Sequence, residues 1–110
     1  MTNKRVQADP HGLDQHAPGA KLDAGKPPLR LILQSMPRAM LVVAEVAAYG
    51  AEKYTENGWE KVPNGVERYT DAMLRHAVQE GIRATDEESE LLHAAQVAWN
   101  ALARLELMLR

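Results

Sequence analysis

Polar side chains recur at helical spacing near the carboxyl end of the chain, within a stretch that is otherwise apolar. From Ser89 to Arg104, five polar residues follow one another at spacings of 4, 3, 4 and 4 residues, so their side chains share one face of a helix. A buried polar group without a partner costs about 1–3 kcal/mol. The polar row, made of Ser89, His93, Gln96, Asn100 and Arg104, therefore indicates a ligand site or a hydrogen-bonded seam that fixes helix register.

Carboxylates elsewhere in the sequence could supply a cation site beside this row. Glu45 interrupts an apolar stretch, where a buried carboxylate needs a cation or metal partner. Asp86 and Glu88 crowd the start of the last predicted helix, and Glu80 follows His76 by one turn. Mg²⁺ takes a few carboxylate oxygens together with waters and substrate phosphates. For Glu45 the alternative is a structural ion pair with an arginine of the next helix.

Several kinds of chemistry are excluded by what the sequence lacks. There is no Cys, no GxSxG motif, and no P-loop or Rossmann glycine pattern, so helix-borne side chains and a metal would have to hold a nucleotide. The net charge is −2 and positive and negative residues are interspersed, so the sequence shows no basic segment of the kind that binds nucleic acid. No apolar run reaches the ~18 residues of a membrane span. We expect a cytoplasmic protein without a nucleic-acid or membrane partner, whose near-neutral charge still allows a small anionic ligand.

The composition favours an all-α fold, because the apolar residues are mostly Ala, Leu, Val and Met and Phe is absent. Residues 1–20 contain Pro and Gly without apolar periodicity and are predicted to be a flexible N-terminal arm, followed by a helical domain over 21–110. The first helix should open at Ser35, with Pro37 in its first turn, and end near Tyr54. Gly50 within it predicts a kink or a close backbone approach.

Two further helices complete a predicted bundle of three. Asn64 and Glu67 form a capping-box pattern at the start of the second helix, and Gly81 is placed to end it in a left-handed C-cap. The third helix is predicted to run without interruption from Asp86 towards Arg110. Its apolar residues cover nearly every side, so we expect it to be buried all round. Self-association into a dimer or tetramer would bury it, and the alternative is that residues 21–33 cover it.

Short motifs along the chain resemble a known family. They are LysLeuAspAlaGlyLysPro at 21–27, AlaGluVal and TyrGlyAlaGluLysTyr within 44–54, Trp59, ArgHis at 75–76, Asp86-x-Glu88-Ser89, His93 and AlaTrpAsnAla at 98–101. In these residues the chain resembles the phage and bacterial dATP/dGTP diphosphohydrolase N-terminal domain, which is similar to the MazG-like all-α nucleoside triphosphate pyrophosphatases. The sequence departs from the MazG-like ExxE and ExxD pairs. Glu90 and Gln96 stand where the smaller family leads us to expect Gly and His.

The resemblance implies cleavage of a deoxynucleoside triphosphate, dGTP or dATP, to the monophosphate and pyrophosphate with Mg²⁺ or Mn²⁺. The hypothesis assigns each candidate residue a role. The catalytic residues would be Glu45, His76 and His93, the metal ligands Glu45, Glu80, Asp86 and Glu88, and the substrate-binding residues Lys53, Trp59, Arg75 and Asn100. Trp59 would stack on the base or simply plug the core. The alternative function is a non-catalytic helical oligomerisation module, in which the polar row sets register between subunits.

Overall fold

The computed structural model describes residues 7–110, and over this range the chain is all-helical, with the order α1, α2, a 3₁₀ turn, α3 and α4. The chain divides into two compact units between Ser35 and Met36. Within the described residues, no helix is both long enough and apolar enough to cross a membrane.

The first unit is a series of turns followed by the short helix α1, Arg30–Leu33. The carboxylate of Asp9 organises the turns, since Oδ1 accepts the amide of His11 at 2.7 Å and Oδ2 accepts the amide of Lys21 at 2.8 Å. The amide of Ala24 donates to the carbonyl of Ala8 at 3.0 Å and closes the loop. Residues 1–6 of the predicted arm lie outside the described residues, and the flexibility of the arm stays a prediction.

The second unit contains the three main helices, as predicted: α2, Pro37–Lys53; α3, Gly65–Glu80; and α4, His93–Leu109. A 3₁₀ turn, Gly58–Lys61, precedes α3. Among the described residues, α2 and α3 both pack on α4 but hardly on each other. The all-α fold with three main helices is confirmed, and the separation of α2 from α3 leaves a space above α4.

Several local predictions at the helix ends are wrong. Met36, not Ser35, is the N-cap of α2, and Pro37 occupies its first position. Asn64 does precede α3, but its backbone is left-handed and its side chain makes no capping hydrogen bond. Gly81 has a right-handed backbone with φ −66°, so it is not a left-handed C-cap. The helix α2 continues through Gly50, and a Cβ there would meet no other group within 4 Å.

The last helix begins at His93, seven residues later than predicted. The preceding residues form a tight loop in which Thr85 and Leu92 make an isolated antiparallel bridge. The amide of Asp86 donates to the carbonyl of Leu91 at 2.8 Å, and the amide of His93 donates to the carbonyl of Ala84 at 2.9 Å. These backbone groups pair across the loop, so they are not available for helical hydrogen bonds.

The burial of α4 within the single chain is partial. Its buried side chains include the polar residues His93, Gln96 and Asn100, whose exposed fractions are 4, 8 and 5%. One apolar stripe stays half exposed; we call it the leucine stripe, and it consists of Leu102, Leu105, Met108 and Leu109. The two helices that pack on α4, α2 and α3, thus leave the leucine stripe half exposed within one chain. An uncovered face in the single chain is what the sequence predicted, and its cover by a second copy stays a prediction.

Candidate functional site

A cleft of about 810 Å³ lies between α2 and α3, with α4 as its floor. Gln96 and Asn100 of the polar row line it. The side-chain amide of Asn100 donates to the carbonyl of Gln96 at 2.8 Å, and Gln96 Nε2 donates to Ser89 Oγ at 3.4 Å. The carboxamide oxygen of Asn100 accepts no hydrogen bond from the described residues. The floor of the cleft thus offers a polar acceptor in an otherwise enclosed position.

Arg104, the last member of the polar row, has a structural role. Its Nε donates to Thr70 Oγ1 of α3 at 2.7 Å, and Thr70 Oγ1 in turn donates to the carbonyl of Val66 at 2.7 Å. This end of the row is therefore a hydrogen-bonded seam between α3 and α4. The seam interpretation applies to this end of the row, and the ligand-site interpretation of its other members stays a prediction.

Three aromatic rings form one wall of the cleft. Trp59 of the 3₁₀ turn packs edge-on against Trp99 of α4, with ring centroids 6.0 Å apart, and against Tyr69 of α3 at 6.5 Å. Tyr69 and Trp99 are 5.7 Å apart, and the hydroxyl of Tyr69 donates to the carbonyl of Trp59 at 2.9 Å. Edge-on packing and this hydrogen bond fix the rings. Trp59 thus helps to close the core and lines the cleft as well.

Charged side chains surround the mouth of the cleft. Lys53 at the end of α2 donates to both carboxylate oxygens of Glu88, at 2.9 and 2.8 Å, and this contact raises the pKa of Lys53 above its ordinary value. Arg68 and Arg75 of α3 also line the cleft. The two arginines are seven residues apart, so they lie on one face of α3. Cations from two helices therefore face the same space, together with the carboxylates of Asp71, Asp86 and Glu88.

Three potential metal ligands meet at one end of the cleft. His76 comes from α3, Asp86 from the loop and His93 from the first position of α4, and one ligand atom of each lies within 4.8 Å of the other two. The Nδ1 atoms of His76 and His93 are 2.8 Å apart. Burial, reinforced by His93, lowers the pKa of His76. A neutral imidazole keeps a lone pair for a cation, so this histidine–aspartate cluster is suited to bind a metal ion.

The carboxylate of Asp86 is held in its ionised form. Burial alone would raise the pKa of Asp86, but two hydrogen bonds from Ser89, with help from both histidines, outweigh this effect and leave the pKa below its ordinary value. Asp86 Oδ2 accepts the backbone amide of Ser89 at 2.9 Å and its hydroxyl at 2.8 Å. The loop therefore presents a fixed negative charge to the two imidazoles.

The structure brings most of the predicted site residues to this cleft. Those lining it are Lys53, Trp59, Arg75, His76, Asp86, Glu88 and Asn100. His93 lines a smaller adjoining depression of about 370 Å³, which shares Asp86 and Glu88 with the cleft. Glu45 and Glu80 are exposed and are not among the lining residues of either space. The expected burial of Glu45 is wrong, while the proposed metal-binding role of both carboxylates stays a prediction.

Sequence reasoning did not assign Arg68, Tyr69 or Trp99 to the site. A signal was present for the first two, because Arg68 and Tyr69 precede Arg75 and His76 by seven residues and so share their faces of α3. Trp99 adjoins Asn100 and was counted among the apolar residues of α4. Its contact with Trp59 depends on how the 3₁₀ turn packs, which helical periodicity does not encode.

One of three comparisons with known proteins identifies a family for this chain. No curated protein and no solved structure matches the chain. One family model does match, that of the dATP/dGTP diphosphohydrolase, N-terminal, over residues 16–110. The match covers both the histidine–aspartate cluster and the whole cleft. The chain therefore belongs to the dATP/dGTP diphosphohydrolase N-terminal domain family.

Proposed function

We propose that this domain is a metal-dependent hydrolase that cleaves dGTP or dATP to the monophosphate and pyrophosphate. The observation that supports it is a cleft that combines an aromatic wall, cations at its mouth from two helices and a cluster of metal-ligand side chains. The family description names the same substrate class. The volume of about 810 Å³ lies in the range of small-molecule sites.

The aromatic wall is the proposed position of the nucleobase. Purine rings stack well on indole and phenol rings, and Trp59, Tyr69 and Trp99 are already fixed by their mutual packing. Asn100 lies on the floor and has a carboxamide oxygen available to accept a hydrogen bond from the base or sugar. A rigid aromatic wall would cost little entropy to order on binding.

The cationic mouth is the proposed position of the triphosphate. Arg75 and Lys53 line the cleft and supply charge and donors to phosphate oxygens. Lys53 would exchange its carboxylate partner Glu88 for a phosphate. Hydrolysis then requires water to form a bond to the α-phosphorus while the bond from that phosphorus to the bridging oxygen breaks. Pyrophosphate leaves, and the proton of the water passes to solvent.

The donor set of the histidine–aspartate cluster fits a divalent cation. His76, Asp86 and His93 would hold it next to the mouth, where bound Mg²⁺ or Mn²⁺ would neutralise phosphate charge and polarise a phosphoryl oxygen. Ser89 keeps the carboxylate of Asp86 in place. We retain Glu88 as a further candidate ligand, because it lines both the cleft and the adjoining depression.

The test is to incubate the protein with dGTP, dATP and the other deoxynucleotides in Mg²⁺ or Mn²⁺. We expect release of pyrophosphate rather than orthophosphate, and we expect Arg75→Ala to lower kcat/KM by roughly 10-fold or more. Arg38→Ala is the matched control, since Arg38 is exposed and lines neither the cleft nor the smaller depression. Failure to release pyrophosphate from any nucleotide with either metal would reject the proposal. Glu45→Gln decides the predicted catalytic role of Glu45, which requires loss of activity.

A further inference from the structure

The histidine–aspartate cluster is built from three consecutive segments of the chain, α3, the loop after it and α4. His76 lies near the end of α3, Asp86 at the start of the loop, and His93 at the first position of α4, where its side chain is 4% exposed. Their ligand atoms lie within 4.8 Å of one another. Such convergence of two imidazoles and a carboxylate gives three ligands of the kinds that transition metals accept.

The distance between the imidazoles suits two ligands of one ion. Two nitrogens at about 2.1 Å from a metal lie ~3.0 Å apart at a right angle and ~3.4 Å apart at the tetrahedral angle. The Nδ1 atoms of His76 and His93 are 2.8 Å apart, close to the first value. Without an ion, the same contact is a single hydrogen bond in which one ring donates and the other accepts.

The carboxylate of Asp86 is held in place through one of its two oxygens. Both hydrogen bonds from Ser89 are accepted by Asp86 Oδ2, and Oδ1 accepts none from the described residues. The hydroxyl of Ser89 is itself positioned, because it accepts the amide of Leu91 at 3.2 Å and Nε2 of Gln96 at 3.4 Å. Hydrogen-bonded support of this kind orients a metal ligand and strengthens binding.

The cluster is accessible to ions from solution. His76 and Asp86 line the large cleft, whereas His93 and Asp86 line the smaller depression. The three side chains therefore lie between the cleft and the smaller depression. Waters or phosphate oxygens on either side could complete the coordination of an ion.

We propose that His76, Asp86 and His93 form a binding site for one divalent transition-metal ion, such as Mn²⁺, Co²⁺ or Zn²⁺, in preference to Mg²⁺. Imidazole nitrogens suit transition metals, whereas Mg²⁺ prefers oxygen ligands and gives up its waters reluctantly. This inference deepens the proposed function, because it names the metal ion of the same site. The role of the ion in phosphate chemistry rests on the proposed function, whereas binding of the ion by the three side chains can be tested without nucleotide.

The experiment measures metal binding to the full chain without nucleotide, after treatment with EDTA. We expect Co²⁺ to produce visible absorption bands at one ion per chain, and calorimetry to show Mn²⁺ bound at least about 10-fold tighter than Mg²⁺. His76→Gln, His93→Gln and Asp86→Asn should each weaken Co²⁺ binding on the order of 100-fold, and Ser89→Ala about 10-fold. The double variant His11→Gln, His16→Gln replaces the other two of the four histidines and should bind as the parent does.

A second measurement avoids the risk that a variant fails to fold. Titration of Zn²⁺ into the parent protein should shift the imidazole nitrogen signals of His76 and His93 in NMR spectra, and leave those of His11 and His16 in place. Absence of Co²⁺ bands, or unchanged imidazole signals, would overturn the metal site and leave the contact as a hydrogen bond between α3 and α4. Metal binding without pyrophosphate release would reject the proposed function alone. Pyrophosphate release with no binding at the cluster would reject this inference alone.

Discussion

Lys53 and Glu88 connect α2 to the loop before α4, with Nζ of the lysine 2.9 and 2.8 Å from the two carboxylate oxygens. Both residues line the cleft, so the ion pair lies across its mouth. The two side chains are 34 and 62% exposed. An exposed pair of this kind contributes at most about 1 kcal/mol to stability. Its significance is that Lys53 cannot bind a phosphate fully until it leaves Glu88.

We expect Glu88→Gln to tighten nucleotide binding roughly three- to tenfold, because Lys53 would no longer be held by a carboxylate. Lys53→Ala should weaken binding by a similar factor. Quenching of Trp59 and Trp99 fluorescence by dGTP measures both effects without relying on turnover. Glu87→Gln is the control, since Glu87 pairs instead with Arg83, at 3.5 Å. If Glu88→Gln weakens binding of the metal as well as the nucleotide, Glu88 is a metal ligand, as the sequence suggested.

The start of α4 shows why local patterns placed one helix end wrongly. Thr85 with Glu88 three residues on has the form of a capping box, and acidic residues favour a helix start. In the structure Asp86 accepts the amide and hydroxyl of Ser89 and closes a turn instead of a helix. The bridge between Thr85 and Leu92 keeps the residues between them out of the helix, which begins only at His93. A side chain that can cap a helix can also cap a turn, and only the pairing across the loop distinguishes them.

The sequence predicted the face of α4 that lines the cleft better than it predicted the histidine–aspartate cluster. The spacing of His93, Gln96 and Asn100 predicted a shared face of α4. In the structure Gln96 and Asn100 line the cleft, and His93 lines the adjoining depression. The spacing could not show that His76, seventeen residues before His93, lies opposite that face. This pairing depends on the length of the loop and on how α3 packs against α4. Apolar residues all round α4 predicted that a second copy or residues 21–33 cover its remaining face, and the single chain leaves that face half exposed.

Glu90 has a left-handed backbone with φ 62°, which favours glycine. We expect Glu90→Gly to raise the free energy of unfolding by about 1 kcal/mol, because a side chain in this conformation is strained. Urea unfolding measures the change. Glu90→Ala is the matched control: it removes the carboxylate but keeps a Cβ, so it should not stabilise the protein. Equal stabilisation by both variants would mean that loss of charge, not relief of backbone strain, is responsible.

Asp9 should titrate below the ordinary range of an aspartate. The hydrogen bond from the amide of Lys21 is the largest cause, and the amides of His11 and Leu13 add to it, so the pKa of Asp9 is lowered from 3.8. A lowered pKa means that the contribution of the carboxylate to the turns is present above pH 3.8 and is lost as pH falls through the pKa in the folded protein. The amide signal of Lys21 in NMR spectra should move upfield over that range.

Asp9→Asn provides the control for this titration, since the Lys21 amide of the variant should no longer follow the same curve. If the Lys21 amide of the parent does not respond to acid, the carboxylate does not hold the turns. The flexible arm predicted from composition would then be the better description of residues 7–20.

The leucine stripe predicts self-association. Its four side chains are 50–59% exposed and lie on the side of α4 away from the buried Gln96, because Leu105 is nine residues, or two and a half turns, further along. His93, Gln96 and Asn100 of the polar row are buried within the single chain, and the alternative role of the row between subunits stays a prediction. The stripe offers the apolar area that a second copy of α4 could bury. We expect light scattering to show a mass of at least twice 12.2 kDa.

Leu105→Glu should reduce that mass to the monomer, because it places a charge in the middle of the stripe. Leu13→Glu is the control, since Leu13 is an exposed apolar residue outside α4 and outside residues 21–33, the alternative cover for the helix. The two variants must be compared at matched concentration, because dissociation of a small interface depends on it. A parent protein that remains monomeric at high concentration, with the stripe protected from hydrogen exchange, would favour cover by residues 21–33 over a second copy.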